Sequence, residues 1–139
     1  MKYTTKSTYT YPAIFKEQSE GGYHIYFPDI EGCFTCGDDI EDGILMAKDV
    51  LAFSIFENYE ELNKELPIPT SIHQLNINKD EFVTYIVCDT MEYRCKFSKK
   101  AVKKTLTIPE WLNEAAMEQK INFSQVLQEA LKARLKVNS

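Results

Sequence analysis

The 139-residue sequence predicts an α+β protein of two domains, with residues 1–95 reading βββαβ and residues 96–139 reading βαα. Three observations carry that prediction. Segments rich in Tyr, Phe, Ile and Val that alternate with polar residues flank one long stretch with apolar residues at helical spacing. A second stretch, from Lys99 to Leu135, passes from strand-like alternation to two helical patterns. The charge also changes sign: residues 1–95 hold 7 Lys/Arg against 17 Asp/Glu, a net −10, and residues 96–139 hold 9 against 4, a net +5. An acidic body with a basic tail implies two kinds of partner, a polyanion for the tail and something else for the body.

The elements follow in order. Tyr9 to Glu17 reads as a strand, with Tyr9, Tyr11, Ala13 and Phe15 alternating with Thr10, Ile14 and Lys16. Pro12 points to an edge position or a strand start, because proline cannot donate to a ladder. Gly21-Gly22 supplies a tight turn, and Tyr23 to Phe27 returns as the second strand until Pro28-Asp29 stops it. Gly32 to Cys36 is a short third strand closed by Gly37. Asp38 or Asp39 can cap the helix that follows, with Glu41 or Asp42 in capping-box position. Its stripe is Ile40, Ile44, Ala47, Leu51, Ile55, Tyr59 and Leu62. Gly43 costs about 1 kcal/mol against Ala inside a helix, which implies a close approach there or a helix only just begun. Pro67-Ile68-Pro69 breaks the chain into extended loop. Glu81 to Cys88 is the fourth strand, and Asp89 to Ser98 reads as a connection.

From Lys99 onward, Val102, Leu106 and Ile108 lie on one side of an extended segment and Lys103, Thr105 and Thr107 on the other. Pro109 suits a first helical position. Leu112, Ala115 and Ala116 then make a helical face until Gln119-Lys120. Ser124 stands where an N-cap is needed, followed by Val126, Leu127, Ala130, Leu131 and Leu135. Trp111 and Met117, at helical spacing, read as core or dimer-interface residues. A lone strand cannot satisfy its backbone in water, so two copies are expected to pair antiparallel into a ribbon over four helices. This order, with LTIPEWL at the junction, resembles the ribbon-helix-helix DNA-binding modules. A two-stranded ribbon fits the major groove of operator DNA, which would place Lys103, Thr105 and Thr107 at base edges. Lys99, Lys100, Asn122 and Ser124 are then the candidate phosphate contacts, the last two because a helix N-terminus presents free N–H groups to an anion. The plainer alternative is a dimerisation device whose Lys and Thr face solvent.

A second resemblance covers residues 9 to 90. YPAIF, GGYHIYFPDIEGCFTCGDDIEDGILMAKDVLAF and LPIPT, in that order, resemble the N-terminal domain of the HicB antitoxins. That resemblance implies a truncated RNase H-like fold and a HicA-like mRNA-cleaving toxin as partner. It also implies repression of the protein's own promoter. The family usually has Ala where Gly43 stands.

The acidic residues and cysteines also bear on other chemistries. Asp29, Glu31, Asp38, Asp39, Glu41 and Asp42 crowd one sheet edge, but two-metal hydrolysis needs carboxylates converging from separate elements. Capping and the helix dipole already account for two pairs of them. We therefore expect Asp29, Glu31, Asp38 and Asp39 to form an acidic surface that steers a basic toxin. A metal-dependent nuclease on a DNA-binding tail, or an autonomous ligand-sensing repressor, stands as the alternative. Cys33 and Cys36 have CxxC spacing within a strand, which puts them on opposite faces, so buried structural thiols are expected. His24 and His73 have no neighbouring nucleophile and orienting acid, and no catalytic residue, metal site or cofactor is predicted. With no long apolar run and no signal-like start, the chain reads as cytoplasmic. A homodimer is expected through the C-terminal domain, with higher oligomers left open and no membrane partner.

Overall fold

The computed structural model describes residues 6–98 and 100–136. The chain divides into two compact units between Arg94 and Cys95. The first is a four-stranded antiparallel sheet of order β3-β2-β1-β4 with one long helix on it. Its strands are β1 (Thr8–Glu17), β2 (Tyr23–Tyr26), β3 (Phe34–Gly37) and β4 (Glu81–Asp89). Gly21 and Gly22, at φ of 98° and 80°, make the β1–β2 turn that only glycine adopts freely.

Pro12 is not at an edge. It lies inside a central strand, beyond the β1–β2 ladder that ends at Ile14 opposite Tyr26. Its nitrogen faces the side where β2 has stopped, so the missing donor leaves no ladder bond unmade. Tyr11, Ala13 and Phe15 of β1 join Ile25, Ile86 and Cys88 on the helix side. Pro12 and Ile14, on the outer side, are buried as well, flanked in the register by Tyr85 and Val83 of β4. Both sides of the sheet are therefore apolar, and the outer one leaves Phe34, Tyr85 and Val87 about half in solvent.

Helix α1 (Ile40–Ile55) starts as the capping pattern requires: the Asp39 carboxylate accepts the Asp42 N–H at 2.8 Å, and the Asp42 carboxylate accepts the Asp38 N–H at 2.8 Å. Its buried face differs from the expected stripe. Gly43, Ala47, Leu51, Ala52, Ser54 and Ile55 are buried, whereas Ile40, Ile44 and Leu62 are exposed. Gly43 is the reason. A Cβ on Gly37 would lie 2.3 Å from the Gly43 Cα, so helix and β3 meet backbone to backbone and rotate Gly43 inward. The helix does not run on to Leu62 as a regular α-helix. It widens into a π-turn at Phe56–Glu60, and Phe56 and Glu60 both lie inside. The Asp89–Ser98 connection also contains a helix, α2 (Met91–Phe97), begun by the Asp89 carboxylate accepting the Met91 N–H.

The second unit contains α3 (Glu110–Glu118) and α4 (Phe123–Leu135). Pro109 caps α3 rather than opening it. Residues 100–109 form neither helix nor ladder within this single chain, because a strand exists only where a partner completes it. None of the described residues of this unit from 100 to 136 is buried. Val102, Leu106, Trp111, Met117 and Leu135 are each more than 60% exposed.

Candidate nucleic-acid and partner interfaces

In the second unit the predicted contact residues come from the extended segment and the start of α4. Lys103, Thr105 and Thr107 are exposed, as is every residue from 100 to 110. Lys100 is exposed just before them, its N–H donating to Ser98 Oγ at 3.4 Å. Lys99 lies outside the described residues. The N-cap of α4 is Asn122, not Ser124: the Asn122 Oδ1 accepts the Gln125 N–H at 3.0 Å. Asn is among the strongest caps, and the left-handed Lys120 (φ 58°) sets the turn before it. Ser124 instead sits inside the first turn, its Oγ accepting from Gln128 Nε2 at 3.1 Å. Asn122 thus keeps only its –NH₂ for an anion, while Ser124 stands next to the free N–H groups of the helix start.

In the first unit the four acids do not act alike. Asp29 ties down the Pro-rich loop, its carboxylate accepting both the Thr70 N–H at 3.0 Å and the Thr70 hydroxyl. Asp39 is spent on the cap. Glu31 and Asp38 are exposed carboxylates at opposite ends of β3, Glu31 in the β2–β3 connection and Asp38 beside the Gly22 turn. The expected acidic surface is thus split into two pairs, Asp29 with Glu31 and Asp38 with Asp39, each with one member in a local structural job and one presented to solvent. Among the described residues no three His, Cys, Asp or Glu side chains converge as a metal set.

The cysteines divide. Cys33 and Cys88 are buried, and burial pushes both thiols up, Cys88 to about 12. Cys36 is exposed, so the expectation of a buried thiol fails there, and Cys95 is half-buried. Cys36 is on the outer side of the sheet because strand alternation opposes it to Thr35, and its Sγ lies 3.9 Å from His24 Nδ1.

One polar cluster gave no sequence signal. Glu60 is buried and ion-paired to Arg94 at 2.6 Å, and it accepts from Thr90 Oγ1 at 2.8 Å and Tyr9 OH at 2.9 Å. Burial pushes the Glu60 carboxyl up, but hydrogen bonds from Arg94, Thr90 and Tyr9 outweigh it and leave it below its ordinary range. Tyr9 moves the other way, to about 12, through burial and then the neighbouring carboxylate. The cluster fastens α2 to the π-turn and to β1.

These features define a mixed α/β protein whose described residues form an antiparallel sheet and four α-helices in two compact units. The model of the family described as HicB_like antitoxin of bacterial toxin-antitoxin system matches residues 11–131, and the chain belongs to that family. It is 35% identical over 102 residues to an uncharacterized 14.9 kDa protein of Haemophilus phage HP1, covering 73% of this chain and 74% of that protein. Over 64 residues it is 41% identical to antitoxin HicB 1 of Photorhabdus laumondii, covering 46% of this chain and 41% of the antitoxin. The chain thus spans less than half the length of that antitoxin. Its structure resembles a chain of a toxin-antitoxin complex from Streptococcus pneumoniae, with a TM-score of 0.58 and 28% identity over 91% of this chain and 99% of the other. No described helix is long and apolar enough to cross a membrane.

Proposed function

We propose that this protein is a cytoplasmic antitoxin that neutralises a HicA-like mRNA-cleaving toxin and represses its own operon. In this reading residues 1–95 are a truncated RNase H-like toxin-holding domain, and residues 96–139 are a ribbon-helix-helix domain that binds operator DNA as a dimer. The observation that carries the DNA half is the second unit itself. It has apolar residues at strand and helix spacing, yet none of its described residues from 100 to 136 is buried. A second copy supplies the missing strand and the missing core together. That pairing would set Lys103, Thr105 and Thr107 of each copy on one ribbon face, with Lys99, Lys100 and Ser124 toward phosphates. Asn122 is the weakest of these assignments, since its oxygen is occupied by the cap.

Family membership and likeness to a chain of a toxin-antitoxin complex support the toxin half. Glu31 and Asp38 are the acids best placed to meet a basic partner, with Asp29 and Asp39 shaping the surface around them. The mechanism is occlusion by binding rather than catalysis.

Fluorescence anisotropy on the protein's own upstream DNA across a salt series tests the repressor half. Specific binding that weakens with salt, and is lost in Lys103→Ala/Thr105→Ala while the dimer persists, is the expected result. Equal affinity for random duplex would leave the ribbon as a dimerisation device only. Co-purification with a HicA-like toxin, with relief of RNA cleavage, tests the other half.

A further inference from the structure

The open edge of the sheet carries its own signal. β1 and β4 pair along their whole length, and the ladder is bracketed by Glu17 N–H donating to the Asp80 carbonyl and Thr90 N–H donating to the Ser7 carbonyl, both at 2.9 Å. Hydrogen-bonded pairs alternate in an antiparallel ladder. The two brackets therefore turn the backbone of Phe82, Thr84, Ile86 and Cys88 toward β1, and that of Val83, Tyr85 and Val87 away from it. Among the described residues the sheet order places no strand beyond β4. Nine residues long and free of proline, lysine and glycine, β4 lacks the devices by which edge strands are usually blunted.

The side chains on the outward-turned positions read Glu81, Val83, Tyr85, Val87, Asp89, an apolar centre bracketed by acids. Tyr85 and Val87 are each close to half exposed. This pattern decides between two occupants. A second copy paired about Tyr85 would match Val83 with Val87 but set Glu81 opposite Asp89 at both ends, and like charges directly opposite destabilise a pair. It would also bring together two domains of net charge −10. A strand with alternating apolar residues and basic ends meets every position favourably.

We propose that the open edge of β4 is a strand-addition site for a cationic β-strand of a partner protein, with the outward N–H and C=O groups of Val83, Tyr85 and Val87 giving the hydrogen bonds. This deepens the antitoxin reading and rests on it for the partner's biological source. The test uses a peptide, so the two can fail separately. An absent toxin complex leaves the peptide result in place, and an unprotected edge leaves the toxin complex in place.

The probe is a nine-residue peptide with Lys at both ends and Val, Ile and Val at alternate positions between threonines, added to the full-length protein. Amide-resolved hydrogen exchange is expected to slow at least tenfold at Val83, Tyr85 and Val87, with an effect that weakens as salt rises. A peptide with Glu ends should give no protection. Tyr85→Pro removes an outward donor while sparing the β1–β4 ladder, so protection should vanish while Phe82 and Ile86 stay protected. Should that variant fail to fold, Val83→Lys/Val87→Lys places gatekeepers on the same edge and should also abolish the effect. Protection confined to other elements, or none, overturns the proposal. Protection that appears without peptide and grows with protein concentration also overturns it, in favour of self-pairing.

Discussion

Glu60 and Arg94 lie 34 residues apart in the chain, yet their side chains meet at 2.6 Å with only 2% and 9% of their surfaces exposed. Each is the other's compensation for leaving water. Removing one partner strands a buried charge, which typically costs about 3 kcal/mol or more. Glu60→Gln should therefore lower the unfolding free energy of the first unit by roughly 3 kcal/mol, read by urea titration.

The same pair sets a pH dependence. The folded-state value of Glu60 lies below its ordinary 4.5, so its contribution is complete above that value and is lost as pH falls through the lowered one. The stability of the wild type should fall on acidification below about 4.5 more steeply than that of Glu60→Gln.

Gly37 and Gly43 should respond unequally to alanine. A Cβ on Gly37 meets the backbone of Gly43, which can move only if the helix shifts, so Gly37→Ala should cost about 3 kcal/mol or prevent folding. A Cβ on Gly43 meets the tips of the Ile25 and Phe15 side chains at 3.0 and 3.1 Å, which can yield by tenths of an ångström. Helix propensity returns about 1 kcal/mol there, so Gly43→Ala should change stability by less than about 1 kcal/mol. Thermal melts of both variants check the ordering.

The single tryptophan, Trp111, reports on the second unit alone. Its fluorescence transition in urea should move to higher denaturant as protein concentration rises, as for any structure completed by a second copy. Leu131→Asp should abolish that transition and leave the tyrosine signal of the first unit unchanged.

Thiol reagents should find Cys36 first. It is exposed, whereas Cys33 and Cys88 are buried with their thiols pushed up. Mass mapping after brief labelling should show Cys36 ahead of Cys95, with Cys33 and Cys88 labelled only on unfolding.

Much of the fold is written locally. The Asp39–Asp42 cap, the 81–88 strand and the two C-terminal helices each follow from signals a few residues long. What sequence reasoning missed depends on distant residues. Ile40 and Ile44 fit a helical stripe as well as Gly43 does, and only the approach of Gly37 chooses the face. A buried glutamate beside Glu61 looks like part of a solvated acidic run until Arg94 folds back onto it. Pro12 reads as an edge residue because the early end of β2 is not visible from β1. At the proposed DNA site two cap oxygens compete, at Asn122 and Ser124, and turn geometry at Lys120 selects the first.

Under the proposed function, the absence of buried residues across 100–136 has a consequence for control of expression. If the operator-reading half is assembled only by two chains meeting, its amount rises with the square of chain number at low abundance. Repression then switches on over a narrow range of dosage, and a modest fall in supply opens the promoter disproportionately. The first unit holds a complete core within one chain and carries no such threshold. On the proposed function, one polypeptide would combine a graded response to its protein partner with a steep response at the gene.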